Sequence, residues 1–217
     1  KEDQGGPGPK GYLRVTTPDL YAGLADPVAF KNQLWPEVTF YDKQWEVIFS
    51  VHCNDETLVP AGNQLGKDFV AGFIVLWFFL TRHPVRVVTT SVKDDHLRVL
   101  WGEIGRFINT CRVPLRAERG GPLVVNHREL RKVLDGVRCP ISYAIGMVSE
   151  NPEGLAGHHA ANTLLVLDEA SGVPQQAYDQ GRTWAKRVLA ISNCNPCDNF
   201  FKEGVEAGDL VAPDDAA

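Results

Sequence analysis

The sequence predicts an α/β domain built on a mostly parallel sheet with helices on both faces. Strand-like and helix-like segments alternate along the body of the chain, which is the pattern of such a sheet. The chain has 217 residues, of which 44% are hydrophobic and 23% charged, so its composition is that of a globular protein and not of a disordered chain or a disulfide scaffold. The longest apolar run, residues 69–80, is shorter than the about 20 residues that cross a bilayer. We therefore expect no membrane partner.

The first half of the body predicts two helices and two strands. Residues 44–52 predict a helix whose large side chains recur on one stripe: Trp45, Ile48, Phe49 and His52. A short apolar strand is expected at 57–60, and the mostly apolar stretch 66–81 predicts a buried helix. Residues 85–90 are rich in β-branched side chains and predict the second strand.

The second half continues the alternation. Residues 93–109 predict an amphipathic helix with an inward stripe of Leu97, Leu100, Ile104 and Ile108. Its polar face leaves Arg98 and Arg106 on the outside. Further strands are expected at 141–148, 164–167 and 187–192, with a helix over 174–184 between the last two. The Gly- and Pro-rich stretch 1–11 and the acidic stretch 205–217 are expected to be flexible or frayed ends.

The distribution of charge is uneven. The formal net charge is −5, which argues against a protein that coats nucleic acid by bulk charge. Residues 82–138, however, hold 12 Lys or Arg against 6 Asp or Glu, a local excess of +6. A contact with nucleic acid is expected to come from this segment. The five cysteines are an odd number without dense spacing, although Cys194 and Cys197 form one C-x-x-C pair. This set fits a reducing compartment, and we expect no secretion signal.

Residues 60–68, PAGNQLGKD, predict a phosphate-binding loop between a strand and an apolar helix. Small residues let successive backbone N–H groups face phosphate oxygens, and a lysine reaches the terminal phosphates. The binding positions are Ala61, Gly62, Asn63, Gln64, Leu65, Gly66, Lys67 and Asp68. Two of them depart from the usual pattern: Ala61 replaces its first glycine, and Asp68 replaces the Ser or Thr that binds Mg²⁺. The alternative is a glycine-containing turn that caps a buried helix.

Polar residues end two of the later strands. Asp168 and Glu169 follow the apolar run 164–167, where one carboxylate can hold Mg²⁺ and the next can activate water. Asn193 and Asn195 follow the last strand, at the carboxyl edge where open parallel sheets bind ligands. The alternatives are a strand that ends in surface acids and an ordinary Asn-Pro turn.

Together these segments resemble the ATPase domain of the large terminase subunit of tailed bacteriophages. The resemblance covers about residues 40–206. Tyr41 and Gln44 look like its adenine-contacting segment, and residues 61–68 look like its variant phosphate loop. Residues 88–91 are similar to its threonine motif after the second strand. The most specific stretch runs from 151 through Gly157 to LLVLDEASGV at 164–173, and residues 191–201 look like its coupling motif.

The resemblance implies a P-loop NTPase of the additional-strand, catalytic-glutamate (RecA/helicase-like) type. It implies Mg²⁺-dependent hydrolysis of ATP and translocation of double-stranded DNA. The expected partners are further copies in a ring, a pentamer in this family, together with a portal protein and a small terminase subunit, in the host cytoplasm. It also implies an N-terminal extension over 1–39, partly flexible, an ATPase domain over 40–206 and an acidic tail or linker over 207–217, with the nuclease domain of the family absent from this chain.

The motifs and the resemblance together lead to a hypothesis for the role of each site residue. Gln44 contacts adenine, and Lys67 with the backbone of 62–67 holds the β- and γ-phosphates. Asp168 and Asp68 hold Mg²⁺, Glu169 activates water, and Asn193 senses hydrolysis. The candidates for an arginine that neutralises the transition state are Arg98, Arg106 and Arg112.

Three questions stay open at this stage. A helicase-like DNA-remodelling ATPase would use the same core. An ATP-binding assembly switch with little turnover is the other alternative, motivated by Ala61 and Asp68. His158 and His159 belong either to a loop that contacts nucleotide or DNA, or to a turn that packs below the sheet.

Overall fold

The computed structural model describes residues 23–62, 65–149, 152–193 and 195–208. Most of the predicted N-terminal extension and nearly all of the predicted tail lie outside these ranges. The α-helices of the described chain are α1 (Pro27–Leu34), α2 (Asp42–Cys53), α3 (Lys67–Thr81), α4 (Asp94–Thr110), α5 (Gln175–Arg182) and α6 (Phe200–Ala207). The strands are β1 (Glu56–Pro60), β2 (Val85–Ser91), β3 (Leu123–Asn126), β4 (Glu129–Leu134), β5 (Val137–Val148), β6 (Asn162–Asp168) and β7 (Arg187–Ser192).

All these strands form one seven-stranded sheet in the order β1-β7-β6-β2-β5-β4-β3. The five strands from β1 to β5 in this order are parallel. A hairpin, β3–β4, continues the sheet with antiparallel pairing. The prediction of a mostly parallel sheet with helices on both faces is confirmed.

The register of the parallel strands brings three strand ends together. Pro60 pairs with Ser192, Ile191 with Asp168, and Asp168 with Ser91. The segments that follow β1, β6 and β7 therefore leave the sheet side by side, at what we call its carboxyl edge. This edge is where open parallel sheets bind ligands.

Helix α3 lies at the centre of the larger of the two cores. From Val70 to Thr81 every residue of α3 is buried. It packs with α1, α2 and α4 on one face of the sheet, against inward side chains that include Leu164 and Val166. Leu165 and Leu167 point to the other face, where α5 and α6 cover them. Successive side chains of β6 point to opposite faces of the sheet, and both faces are buried. This is why the sequence of β6 is a continuous apolar run.

The predicted elements are present, with one error in a buried stripe. In α4 the predicted inward residues Leu97, Leu100, Ile104 and Ile108 are all buried. In α2 the buried residues are Gln44, Ile48 and Val51, and Phe49 is 41% exposed. The predicted stripe is wrong at Phe49, whereas Ile48 is buried as predicted and Trp45 is partly buried against the larger core. The polar Gln44 is buried in addition, because it lies beside the phosphate loop.

Other elements were not predicted at all. These elements are helix α1, the β3–β4 hairpin and helix α6. Helix α6 runs through Ala207, so the expectation of a linker or frayed end is wrong for Val205–Ala207. Among the described residues, none of the helices is both long and apolar enough to cross a membrane.

Gly121 allows the chain to turn back after α4, and we expect Gly121→Ala to lower the free energy of unfolding. A Cβ at this position would overlap the carbonyl group of Leu115, which is backbone and cannot rotate away. Overpacking of this kind costs about 1–3 kcal/mol. The control is Gly105→Ala in α4, where nothing lies within 4 Å of the added carbon. That variant should gain about 0.5–1 kcal/mol from helix propensity. Urea unfolding of both variants tests this, and equal stabilities would contradict it.

Candidate functional site

The phosphate loop joins the carboxyl end of β1 to the start of α3. The backbone N–H of Ala61 donates to the carbonyl of Ser192 at 2.9 Å, so the loop leaves the sheet tied to β7. Asn63 and Gln64, two of the predicted binding positions, lie outside the described residues. Gly62 is exposed, and Gly66 closes the loop as the residue before α3.

Gly66 is a glycine for two reasons. Its φ of 72° lies in the left-handed region, and a Cβ here would come within 2.9 Å of Gln44 Nε2. The loop is also held from outside, because the Tyr41 hydroxyl donates to the Leu65 carbonyl at 2.7 Å. The turn that opens α3 is therefore a built feature that directs the first backbone N–H groups of the helix toward the carboxyl edge.

Lys67 lies at the centre of the candidate site. Its ammonium donates to Asn193 Oδ1 at 2.7 Å and to Glu169 Oε1 at 3.3 Å. The lysine side chain is only 10% exposed, and that of Glu169 is 23% exposed. The structure thus brings together the three residues predicted to be catalytic, from α3, from the end of β6 and from the end of β7.

Glu169 has a constrained conformation. Its φ of 51° and ψ of 49° are in the left-handed region, which costs a non-glycine residue about 1–3 kcal/mol and is concentrated at functional sites. The turn directs its carboxylate back over the sheet edge. One oxygen meets Lys67, and the other lies 3.5 Å from Ser192 Oγ.

Ser192 and Ser171 form a second support for Glu169 that the sequence did not reveal. Their hydroxyl oxygens are 2.7 Å apart, and the backbone N–H of Ser171 donates to Ser192 Oγ at 3.1 Å. Asn199 fastens the same turn, because its amide Nδ2 lies 2.9–3.3 Å from the carbonyls of Ala170, Ser171 and Val173. A serine as the last residue of a buried strand was the available signal. The last residue of β7 therefore contacts Glu169, and the segment after β7 contacts the turn that follows Glu169.

Carboxylates crowd the position where Mg²⁺ was expected. Asp168 is 6% exposed, and burial, followed by the nearby charges of Asp68 and Glu169, raises its pKa to about 7. Burial likewise raises the pKa of Asp68, while Lys67 lowers it. Acidic groups in this arrangement bind a proton or a cation more readily than isolated carboxylates in water do.

These two aspartates fit a nucleotide-bound Mg²⁺. The ion takes one or two carboxylates together with phosphate oxygens and waters. In the described part of the chain there is no group of three or more His, Cys, Asp or Glu side chains that could hold a metal ion alone. Two carboxylates match the number that such a site takes from the protein.

Gln44 is placed beside the loop, and its amide is already engaged. It is 8% exposed, its Oε1 lies 3.4 Å from the N–H of Tyr41, and its Nε2 lies 3.4 Å from the carbonyl of Leu65. It links the start of α2 to the loop. Contact with an adenine edge remains a prediction for this residue.

The candidate arginines occupy different places. Arg98 lies within 4 Å of Asp94 and Asp95, and Arg106 of Glu103, on the exposed face of α4. Arg112 follows the end of α4. Phe107, near the end of α4, stacks on Phe69 in the first turn of α3 with ring centroids 4.9 Å apart. The backbone N–H of Arg112 donates to the carbonyl of Leu34 at the end of α1.

His158 packs below the sheet. It is 9% exposed, its Nδ1 is 2.7 Å from the Tyr143 hydroxyl, and its Nε2 is 3.1 Å from the Gly154 carbonyl. Its ring meets Trp184 edge to face. Burial lowers the pKa of His158. Of the two readings, the packing turn is the one that this residue follows, whereas His159 is exposed.

Comparison with solved structures identifies proteins of the same architecture. The ATPase domain of the large terminase of Thermus phage P74-26 superposes with a TM-score of 0.54 and 18% identity, over 77% of this chain and 74% of that one. The large terminase of bacteriophage HK97 superposes with a TM-score of 0.60 and 15% identity, over 94% of this chain and 46% of that one.

A large terminase from a thermophilic bacteriophage, in complex with ADP, gives a TM-score of 0.51 at 18% identity, over 73% of this chain and 39% of that one. No protein-family model matches the sequence, and no curated protein matches it. At these identities the likeness establishes the fold, which is the P-loop NTPase fold of phage large-terminase ATPase domains. The chain spans less than half of the HK97 terminase.

Proposed function

We propose that this chain is an ATP-hydrolysing motor domain that drives double-stranded DNA into a viral procapsid. The observation that carries the proposal is the meeting of Lys67, Glu169 and Asn193 at the carboxyl edge, directly after a phosphate loop. Phage large-terminase ATPase domains share the fold, and the ADP and ATP-γ-S complexes of a thermophilic phage terminase support nucleotide as the ligand.

In this mechanism Lys67 exchanges partners. Without nucleotide its ammonium is held by Glu169 and Asn193. The β- and γ-phosphates of ATP, bound by the backbone of residues 62–67, offer stronger acceptors and draw the ammonium away. Glu169 is then free to accept a proton from the attacking water, and Asn193 is free to contact the γ-phosphate.

Asp168 and Asp68 would hold Mg²⁺. When bound, the ion neutralises charge on the β- and γ-phosphate oxygens. The raised pKa of both aspartates means that a cation relieves the repulsion among the buried carboxylates. Asn193 and Glu169 are tied to the same β6–β7 edge, so loss of the γ-phosphate would be passed to the segment after β7.

The proposal extends to the organisation of the protein and to its partners. Residues 40–206 would form the motor, preceded by an extension over 1–39 and followed by a tail or linker over 207–217. A ring of subunits, a portal protein and a small terminase subunit would be its partners in the host cytoplasm.

A second candidate is an ATP-binding switch for assembly with little turnover. Asp68 at the Mg²⁺ position and the occupied Lys67 favour it, because an extra carboxylate opposes the triphosphate. A helicase-like ATPase uses the same core but lacks a specific observation in its favour.

Steady-state ATP hydrolysis, with and without duplex DNA, separates the motor from the switch. We expect hydrolysis that rises with added DNA and with protein concentration, since an arginine from a neighbouring subunit completes such sites. The control is Lys67→Ala, which should abolish nucleotide binding. Binding of labelled ATP without turnover, at every protein and DNA concentration, would contradict the motor and support the switch.

A further inference from the structure

A cleft lined by arginines opens where the chain leaves α4. Its volume is about 250 Å³, and its lining includes Arg112, Arg116 and Arg119 with Asn109 and Cys111. This is below the about 300–1,000 Å³ of a typical small-molecule pocket. A cleft of this size and charge fits one or two phosphate groups and not a whole cofactor.

Within the described part of the chain, the guanidinium groups of Arg112, Arg116 and Arg119 form no ion pair with a carboxylate. The arginines that do form ion pairs there are Arg98, Arg106, Arg128, Arg131 and Arg187. Arg116 donates through Nε to Asn109 Oδ1 at 3.2 Å, which leaves its two terminal nitrogens for a ligand. The nearest acid in sequence, Glu118, is exposed on the same turn. Unpaired arginines gathered in one cleft favour an anion.

The turn that presents these arginines is rigid. Arg116 accepts backbone hydrogen bonds from Arg119 and Gly121 at 3.0 and 2.9 Å, and Leu115 accepts one from Leu123 at 2.9 Å. Gly121 packs against the Leu115 carbonyl so closely that no Cβ fits. The N–H of Arg112 donates to Leu34 at the end of α1. Such a fixed turn lowers the ordering cost of binding a phosphate.

The cleft and the nucleotide site use different side chains. The cleft is lined by residues between Ile108 and Arg119, whereas the candidate site is formed by the phosphate loop with Lys67, Glu169 and Asn193. A phosphate in the cleft and a nucleotide in the loop would therefore not compete for the same groups. Within the basic segment 82–138, the cleft is also the place where several arginines without an acidic partner among the described residues lie together.

We propose that Arg112, Arg116 and Arg119 bind the phosphodiester backbone of duplex DNA. The proposal rests on the motor function above and assigns its DNA-contacting surface. A few contacts between arginines and phosphates in a shallow cleft do not distinguish one base sequence from another. They bind every sequence alike and weaken with salt. A motor that moves along any genome needs this kind of contact, and a net negative chain can make it because the contact is local.

The test is binding of a short fluorescein-labelled DNA duplex of mixed sequence, by anisotropy, over a series of salt concentrations. The full chain is compared with the triple variant Arg112→Gln, Arg116→Gln and Arg119→Gln. A matched control removes three exposed charges elsewhere: Arg138→Gln, Arg182→Gln and Lys202→Gln. Each lost phosphate contact lowers the salt slope by about 1, so we expect the cleft variant to lose two to three units of slope and about tenfold or more in affinity. The control should lose little.

A lysine version of the cleft guards against a folding defect. Arg112→Lys, Arg116→Lys and Arg119→Lys keeps the charge but loses the guanidinium fork, and should keep most of the salt slope with weaker binding. Equal affinity and slope in the glutamine variant and the control would overturn the proposal. Unchanged DNA binding with lost ATP hydrolysis would also overturn it and would assign the arginines to a neighbour's nucleotide. Failure of the unaltered chain to bind DNA would contradict the DNA partner itself.

Discussion

Glu169→Gln is expected to lower the rate of ATP hydrolysis by about 10²–10⁴-fold, the usual contribution of a general base, with nucleotide binding retained. The glutamine keeps the size of the side chain and can keep the contact with Ser192, but it cannot accept a proton from water. It also removes the charge that pairs with Lys67. Affinity for ATP should therefore stay the same or rise. Single-turnover hydrolysis and binding of a labelled nucleotide measure the two effects separately.

The matched control for this variant is Glu46→Gln. Glu46 is a half-exposed glutamate on α2 that pairs with Lys43, so it loses the same charge far from the β6–β7 edge and should hydrolyse ATP at the unaltered rate. Undiminished hydrolysis in Glu169→Gln would exclude Glu169 as the base. Loss of nucleotide binding together with hydrolysis would instead indicate that Glu169 shapes the loop.

The sequence predicted the strand-end residues well because parallel strands impose an order on them. Lys67 lies 102 positions from Glu169 and 126 from Asn193, yet each follows a short apolar run that reads as a buried strand. Once the strands are parallel, their carboxyl ends meet at one edge. That topology brings Glu169 and Asn193 together, whereas Lys67 reaches them through the phosphate loop, whose lysine the sequence motif predicts.

The residues that support the site could not be predicted in the same way. The pairing of Ser192 with Ser171 depends on the left-handed turn at Glu169. Because the residue in this conformation is a glutamate and not a glycine, the sequence does not indicate the turn. The burial of Gln44 beside the loop is a tertiary effect that helix periodicity does not predict. The arginine cleft depends on a backbone turn made possible by Gly121. Charge counts located the basic segment but not the cleft.

Asp168→Asn is expected to make the metal-free protein more stable above pH 7. Burial and the neighbouring carboxylates raise the pKa of Asp168 from 3.8 to about 7, so between these two values the folded state binds the proton that the unfolded state has released. The free energy of unfolding of the unaltered protein therefore falls as pH rises through this window, by about 1.4 kcal/mol per pH unit and about 4 kcal/mol at most. Asparagine has no charge to bury, so the free energy of unfolding of the variant does not fall with pH in this way. Urea unfolding at pH 5 and pH 8 without divalent cations measures the difference.

Asp198→Asn is the control, because the same change on a side chain that is 100% exposed should leave the pH dependence unchanged. Mg²⁺ with nucleotide should reverse the order of stability, since the ion binds the ionised carboxylate of the folded protein and stabilises only the chain that has it. A variant whose stability parallels that of the unaltered protein from pH 5 to 8 would show that Asp168 is already ionised without metal. That result would contradict the raised pKa of Asp168.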